Sequence, residues 1–587
     1  MSKAYISTWR SRLFMAIMVI AFGVVFARLY NLHVVQAAEL ALEAQNNRRS
    51  VIPLEGRRGN IVDREGNLLA GVRSLVQVGV DPYLFTDNHR QQLPELARLL
   101  DLPVQTLEAA VNRRFRAGAD GQPGRAIRWA PLAVVNDEVY DQVRALGIRP
   151  VYGNRRYERF YPGGVLAAHL VGYVNREETA VMGVERALDF YLKGEQGWRE
   201  VELDGRRREV VAFRAREVTP RDGYHVELTI DQNVQAIVEQ ALAKLAETYD
   251  PAGATIIVSD PRSGDILGMG NYPSFDPNHF NRFPIENQRN RAVTDVYEPG
   301  STFKIVPVAA GLEERLIRPD TLIDCESEVV RYRGRSIRMP SDTSRLGTIP
   351  LTRVVSRSSN RGSAQIGMLL GEQRLYDYAH AFGFGQSTGW LLGGEVRGTL
   401  HPVRNWDGLM ISRVPAGYAV SATPLQVHQS MATIANEGRL VAPRIARRVL
   451  DSDGQTVVEF PTQERGQVVS AITAERVAEM LRGVIGPDGT ARRAEIEGFQ
   501  VAGKTGTSRK IINGQYSNRH HVASFSGFFP ASNPRVVITV MVDEPQLPGT
   551  GYGGLVAAPI FKEVGEQLIH HLSIQKPEPD EPFFVSR

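Results

Sequence analysis

Residues Thr294–Glu314 read TDVYEPGSTFKIVPVAAGLEE, and the fold turns on this stretch. A Pro299-Gly300 turn leads into Ser301, and Lys304 follows on what reads as the first turn of a helix with the apolar body FKIVPVAAGL (Phe303–Leu312). Residues i and i+3 share a helix face, so the Ser301 hydroxyl and the Lys304 amine can meet. A helix N-terminus aims backbone N–H groups at whatever lies above the serine. Burial and the positive end of the helix dipole both lower a lysine pKa, so a neutral amine becomes available to take the serine proton. Alone, the Ser-x-x-Lys pattern is weak, and a second copy, SIQK at Ser573–Lys576, reads as chance.

Two further motifs follow in order. SSN at Ser358–Asn360 stands between a predicted helix and RGSAQIGMLL (Arg361–Leu370). KTGTS at Lys504–Ser508 follows FQVAG, which reads as a strand, and SFSGFFP (Ser524–Pro530) and RVVITVMVDEP (Arg535–Pro545) supply neighbouring strands. Each motif has an ordinary structural reading, a helix cap for SSN and a strand end with a turn for KTG. Their occurrence together, in this order and in one domain, makes Ser301 a nucleophile.

Hydrophobic content and charge are those of a folded globular protein. The 587 residues leave room for two to four domains, and a formal net charge of +4 gives no reason to expect nucleic acid. The 69 basic residues comprise 8 lysines and 61 arginines. Arginine cannot be deprotonated in a protein, so lysine has no substitute where an amine must move a proton. Two of the lysines are Lys304 and Lys504. Cys325 is the single cysteine, which excludes an internal disulfide, and no CxxC or HExxH suggests a metal site. The adjacent pairs His520-His521 and His570-His571 point in different directions on any regular element and read as surface or core histidines.

Near the N-terminus, Leu13–Ala27 is uncharged, Lys3, Arg10 and Arg12 precede it, and the first acidic residue is Glu39. The positive-inside rule puts the N-terminus in the cytoplasm and the remainder outside. The helix can continue past Arg28 to Val35, giving an anchor over 13–35; VVQAA at Val34–Ala38 keeps a cleavable signal peptide open as the rival reading. Beyond it come β-type runs such as VQVGVDP (Val76–Pro82), a helical stretch over Leu93–Arg114, a strand at His225–Asp231, a helix at Gln232–Tyr249, and a hairpin over Gly253–Gly270 turning at Arg262-Ser263-Gly264. Mixed helices and strands from about residue 222 onward predict an α/β or α+β enzyme domain. The tail KPEPDEPFF is acidic and proline-rich and reads as an unpacked end.

The set S-x-x-K, S-x-N and K-T-G resembles that of the penicillin-binding proteins and serine β-lactamases. The anchor, RGNIVDREGNLLA (Arg58–Ala70), RFYPGGVLAAHLVG (Arg159–Gly172) and the catalytic motifs stand in the order seen in class B, monofunctional penicillin-binding proteins. RNRAVTDVYEPGSTFK (Arg289–Lys304) and GYGGLVAAPIFKEV (Gly551–Val564) are most similar to the division-specific, FtsI type; elongation-specific relatives more often read Pro-Pro-Gly where this chain has Glu298-Pro299-Gly300. One departure is Ile305, where the FtsI type usually has proline directly after the lysine; here proline comes at Pro307.

The resemblance implies a mixed α+β transpeptidase domain of the penicillin-binding and serine β-lactamase type over 222–572. Ahead of it would lie a cytoplasmic tail (1–12), a single transmembrane helix (13–35) and an elongated pedestal or dimerisation-type domain (36–221), with a tail at 573–587 behind. It implies that Ser301 attacks the penultimate D-Ala carbonyl of a D-Ala-D-Ala stem peptide, with Lys304 as general base. Ser358 and Lys504 relay a proton to the departing D-Ala, and Asn360 holds the substrate amide and Lys304. Thr505 and Thr507, on either side of Gly506, bind the terminal carboxylate, and the N–H groups of Ser301 and Thr507 form the oxyanion hole. The edge of the Lys504 strand takes the peptide by β-addition. An amine from a second stem peptide resolves the acyl-enzyme, without metal or organic cofactor. Implied partners are peptidoglycan stem peptides, β-lactams, a polytopic membrane glycosyltransferase and divisome proteins, with the catalytic domain periplasmic on a bacterial inner membrane.

Three alternatives stand beside this. An elongation-specific class B enzyme is separated from this reading by few residues. A serine β-lactamase is shorter and lacks an anchored N-terminal module. A catalytically idle β-lactam-binding scaffold would be expected to lose the nucleophile or base. In the N-terminal module, Arg58 and Asp63 read as structural partners, and Gly514–Arg519 and Gly549–Gly554 as segments flanking the cleft.

Overall fold

The computed structural model of the chain describes residues 8–40, 49–117, 123–202, 216–547 and 551–576. The first seven residues of the expected cytoplasmic tail, the C-terminal tail from 577 onward, and Gly549 and Thr550 of the glycine-rich stretch lie outside the described residues. Helix α1 (Thr8–Tyr30) continues as a π turn over Asn31–Val35. Among the described residues one helix is long and apolar enough to cross a membrane: Thr8–Val35, 28 residues, whose most apolar 18-residue window has a mean hydropathy of 2.3 and is not buried. At 1.5 Å per residue it exceeds the roughly 30 Å hydrocarbon core.

The chain divides into two compact units, Met1–Arg57 with Lys193–Gly223, and Arg58–Leu192 with Tyr224–Arg587. In the first, strands Arg49–Leu54, Gly197–Glu202 and Arg216–Val218 form an antiparallel sheet. The second is built on two larger sheets.

One of these has seven strands and mixes distant parts of the chain. Its order runs Thr456–Glu459, Ala446–Leu450, His225–Leu228, Ile61–Val62, Leu68–Val80, Ala130–Val135, with Val151–Phe160 also paired to Leu68–Val80. His225–Leu228 runs parallel to Ile61–Val62. The expected strand at His225–Asp231 therefore stops at Leu228. Asp231 instead caps helix α2 (Gln232–Tyr249), accepting from the Asn233 and Val234 N–H groups. The helical stretch expected over Leu93–Arg114 is two helices, Leu93–Leu100 and Val104–Asn112. Asp101 adopts a left-handed φ of 51° and Pro103 disfavours helix in the residue before it, so the periodicity spans a break.

Two arginines of this region, Arg58 and Arg159, meet at a buried carboxylate. Glu185, fully buried, takes Arg58 Nε at 2.6 Å, Arg159 Nε at 2.6 Å and the Tyr161 hydroxyl at 3.2 Å, while Arg58 Nη1 reaches Asp189 at 2.5 Å. The partner expected for Arg58, Asp63, is engaged elsewhere: it accepts from the N–H groups of Glu65 and Asn67 in its own turn and from Gln232 N at 3.0 Å. Both residues are structural, but not with one another.

The second sheet has five antiparallel strands: β1 (Gly253–Ser259), β2 (Ile266–Tyr272), β3 (Ala502–Ile512), β4 (Gln515–Phe529) and β5 (Val536–Asp543), in the order β2-β1-β5-β4-β3. The expected hairpin is β1–β2, and the KTG strand β3 is an edge strand. Around the sheet stand helices α3 (Ile305–Glu313), α4 (Asn360–Leu370), α5 (Pro424–Ala435), α6 (Ala471–Arg482) and α7 (Gly553–His571). Period-two alternation on β4 assigns the faces. Phe525 and Phe529 pack edge-on against Phe561 of α7. Ser526 faces the other way, bonding Thr539, which in turn bonds His428 of α5.

Candidate active site

The Ser301 segment depends on two glycines. Gly300 adopts φ 54°, and a Cβ there would stand 3.1 Å from the Thr507 carbonyl oxygen. Its N–H donates to Gly417 O at 3.1 Å, and a Cβ on Gly417 would lie 1.9 Å from the Gly300 carbonyl oxygen. Gly300–Lys304 form one tight 3-10 turn that runs into α3. Every residue from Ile305 to Leu312 is buried, as expected of a helix that is apolar all round, and this keeps the Lys304 amine away from water. Pro307 falls in the first turn of α3, where a missing N–H breaks no intrahelical bond.

The SSN motif divides its labour. Ser359 caps α4, accepting from Gly362 N at 2.9 Å, the ordinary structural role of such a residue. Ser358 precedes it with a left-handed φ of 58°, a conformation that costs a non-glycine residue on the order of 1–2 kcal/mol. That turn sets Ser358 between two buried lysines. Its hydroxyl lies 3.2 Å from Lys304 Nζ and 2.8 Å from Lys504 Nζ. Lys304 also donates to the Ser358 carbonyl at 2.5 Å and to Asn360 Oδ1 at 2.7 Å.

Asp342 is the residue that motif reading missed. It accepts from the Ser359 hydroxyl at 2.6 Å and from the N–H groups of Asn360 and Arg361, bracing the first turn of α4. Asn360 Nδ2 donates to Ser341 O at 2.8 Å, which orients its Oδ1 toward Lys304. In the sequence, Ser341-Asp342-Thr343 has only the signature of a turn.

Burial pulls the Lys304 pKa down to about 7, against the opposing pull of the Asp342 carboxylate. Burial, then the positive charge of Lys304, holds Lys504 well below the usual lysine range. Both effects favour a neutral amine near neutral pH, the state a lysine base requires. Among the described residues no hydrogen bond joins Ser301 Oγ to Lys304, whose amine is engaged by Ser358 and Asn360. Catalytic hydrogen bonds commonly tighten only when substrate binds.

On β3, alternation separates lysine from threonines. Lys504 lies opposite Ser526, on the α5 side, and Thr505 and Thr507 lie opposite Phe525 and Ala523, on the α7 side. Gly506 leaves no room for a side chain, since a Cβ would stand 2.3 Å from Ser524 Oγ. A cleft of about 1640 Å³ opens along this edge, lined by Ser301, Asp342, Ser358, Asn360, Thr505 and Thr507. Tyr516 and Asn518 from the first flanking segment, and Tyr552 and Gly554 from the second, also line it. The structure thus brings together seven of the eight residues singled out from the motifs around one cavity or its buried floor, while Gly506 serves the backbone approach.

Comparison with known proteins bears on the same regions. The family described as penicillin-binding protein transpeptidase domain matches residues 254–566, and that described as penicillin-binding protein dimerisation domain matches 53–228. The chain is similar to stage V sporulation protein D of Bacillus subtilis, 32% identical over 576 residues, covering 97% of this chain and 87% of that protein. It is similar to peptidoglycan D,D-transpeptidase FtsI of Escherichia coli, 29% identical over 578 residues, covering 98% and 93%. Penicillin-binding protein 3 of Mycobacterium tuberculosis complexed with aztreonam superposes with a TM-score of 0.67 at 28% identity, covering 90% of this chain and 99% of that one.

Proposed function

The chain belongs to the class B penicillin-binding proteins, with a transpeptidase domain behind a dimerisation domain, and we propose that it cross-links peptidoglycan stem peptides through a Ser301 acyl-enzyme. Neutral Lys304 takes the Ser301 proton as Oγ attacks the penultimate D-Ala carbonyl. As the tetrahedral centre collapses the C–N bond breaks, and the terminal D-Ala leaves with a proton delivered through the Ser358 hydroxyl from the Lys504–Lys304 pair. The amine of a second stem peptide then attacks the ester, gives up a proton to the same base, and releases Ser301. The N–H groups of Ser301 and Thr507 hold the oxyanion, and Thr505 and Thr507 the terminal carboxylate. Each oxyanion donor is worth roughly 3–4 kcal/mol.

The observation that carries this reading is the Ser358 hydroxyl, bonded at 3.2 Å and 2.8 Å by two buried lysines beside Ser301. A shared hydroxyl between two amines whose charge is disfavoured is a proton relay; a scaffold would have no use for the burial. The β3 edge beside it is open to a substrate in extended form. We read helix Thr8–Val35 as an uncleaved anchor with the N-terminus cytoplasmic and the catalytic domain periplasmic in the inner membrane. The role is septal, in company with a polytopic glycosyltransferase and divisome proteins. Depletion in the host should give filaments; rounded cells would point to elongation instead.

The test is labelling with a fluorescent penicillin of the intact chain, Ser301→Ala and Ser573→Ala. Label that persists for hours after removal of free drug and disappears only in Ser301→Ala is the expected result. Label lost within seconds would indicate a β-lactamase, and no label at all would sink the catalytic reading.

A further inference from the structure

We infer that Thr490 is a positioning residue for recognition of the substrate's terminal carboxylate, orienting the Thr505 hydroxyl so that it donates into the cleft. The inference rests on the reading that Thr505 and Thr507 bind that carboxylate.

A hydroxyl has one proton, and to hold an anion each threonine must spend it on the anion. For Thr507 the polarity is set by the backbone: Gly553 N donates to Thr507 Oγ1 at 3.0 Å, which occupies a lone pair and leaves the proton free. Among the described residues no backbone N–H donates to Thr505 Oγ1. Its Oγ1 lies 2.9 Å from Thr490 Oγ1, a contact in which either oxygen can donate. Only the arrangement with Thr490 as donor leaves the Thr505 proton for the cleft. Thr490 thus does for Thr505 what Gly553 N–H does for Thr507.

The main chain around Thr490 is built to hold it there. A Cβ on Gly489 would stand 2.0 Å from Val484 O, and one on Gly554 would stand 2.1 Å from Thr490 O. Ala491 N returns to Val484 O at 2.9 Å. The turn that follows α6 is therefore clamped between its own helix end and the first turn of α7. That same first turn carries Gly553, so one element fixes both hydroxyls, on the face of β3 opposite Lys504. The role belongs to ligand recognition, which separates it from simple stabilisation of a turn: a turn residue would alter stability without altering preference for an anion.

The test compares second-order acylation rate constants of the full-length chain for benzylpenicillin and for its methyl ester, which lacks the carboxylate. In Thr490→Val the acid-to-ester ratio should fall about tenfold, the scale of one hydrogen bond to a charged group. Thr490→Ser should restore it, and Thr505→Val should lower it at least as far. Should the valine variant not fold, Thr490→Ala reads the same ratio. An unchanged ratio in Thr490→Val or Thr490→Ala beside a lowered one in Thr505→Val overturns the inference, whatever happens to melting temperature. An unchanged ratio in Thr505→Val overturns the carboxylate reading beneath it.

Discussion

Acidifying the medium should switch acylation off through Lys304. The amine is buried at the start of α3 with a pKa of about 7, lowered chiefly by desolvation. The base is the neutral form, so the rate should follow the deprotonated fraction: about 1% at pH 5, about 9% at pH 6 and about half at pH 7. The second-order rate constant for a penicillin should therefore rise about fiftyfold from pH 5 to pH 7 and only about twofold beyond. Asp342 supplies the internal control. Its carboxylate favours the charged amine, so Asp342→Asn should move the midpoint to lower pH while keeping an acceptor for the α4 N–H groups. Linkage gives a second readout. The folded pKa lies below the ordinary 10.5, so between about 7 and 10.5 the unfolded chain binds more protons and stability rises with pH. Lys304→Met should flatten the pH slope of Tm across that window. A flat acylation profile from pH 5 to 8, or a midpoint that climbs in Asp342→Asn, would refute the assignment of Lys304 as base.

Two further substitutions test the frame around the site. Glu185→Ala leaves Arg58 and Arg159 buried without their shared carboxylate and should lower unfolding free energy by about 3–5 kcal/mol in chemical denaturation; an effect below about 1 kcal/mol would mean that water replaces the carboxylate. Gly417→Ala places a Cβ 1.9 Å from the Gly300 carbonyl oxygen and should cut penicillin labelling at least tenfold by displacing the nucleophile turn. Gly334→Ala has a comparable φ of 80° but nothing within 4 Å, so it should cost about 1 kcal/mol of stability with labelling retained. Equal labelling loss in both would show that backbone strain, not the Gly300 contact, is responsible.

How far the site could be read from the chain depends on the separation over which each residue works. Ser301 and Lys304 are legible because an i, i+3 pair on an apolar helix has one geometry. Lys504 and its threonines are legible because a strand sends alternate side chains to opposite faces. Asp342 reaches Asn360 across 18 residues, and Thr490 reaches Thr505 across 15, each from a turn with no periodicity to betray its direction. Arg58 shows the same limit at longer range. A local reading offers Asp63, five residues on, but the carboxylate that holds Arg58 is Glu185, 127 residues away. Propensity also outran the chain at Asp101–Pro103, where two helices in phase look like one. The edge position of β3, which opens the cleft, is a property of sheet order and has no mark in the strand itself.

The SSN motif shows why a bland local reading and a chemical one can both be right. Three residues that look like a helix cap do contain one, but the cap is Ser359, which satisfies Gly362 N and is itself held by Asp342. With the α4 terminus satisfied by that pair, Ser358 is released from capping and can occupy φ 58°. In a right-handed conformation the Ser358 backbone would extend the preceding helix Leu351–Ser356 beyond its Arg357 cap, and its hydroxyl would point elsewhere than between the two amines. The strain at Ser358 and the cap at Ser359 are therefore one device: the capped helix over-determines the turn, and the turn sets the hydroxyl between Lys304 and Lys504.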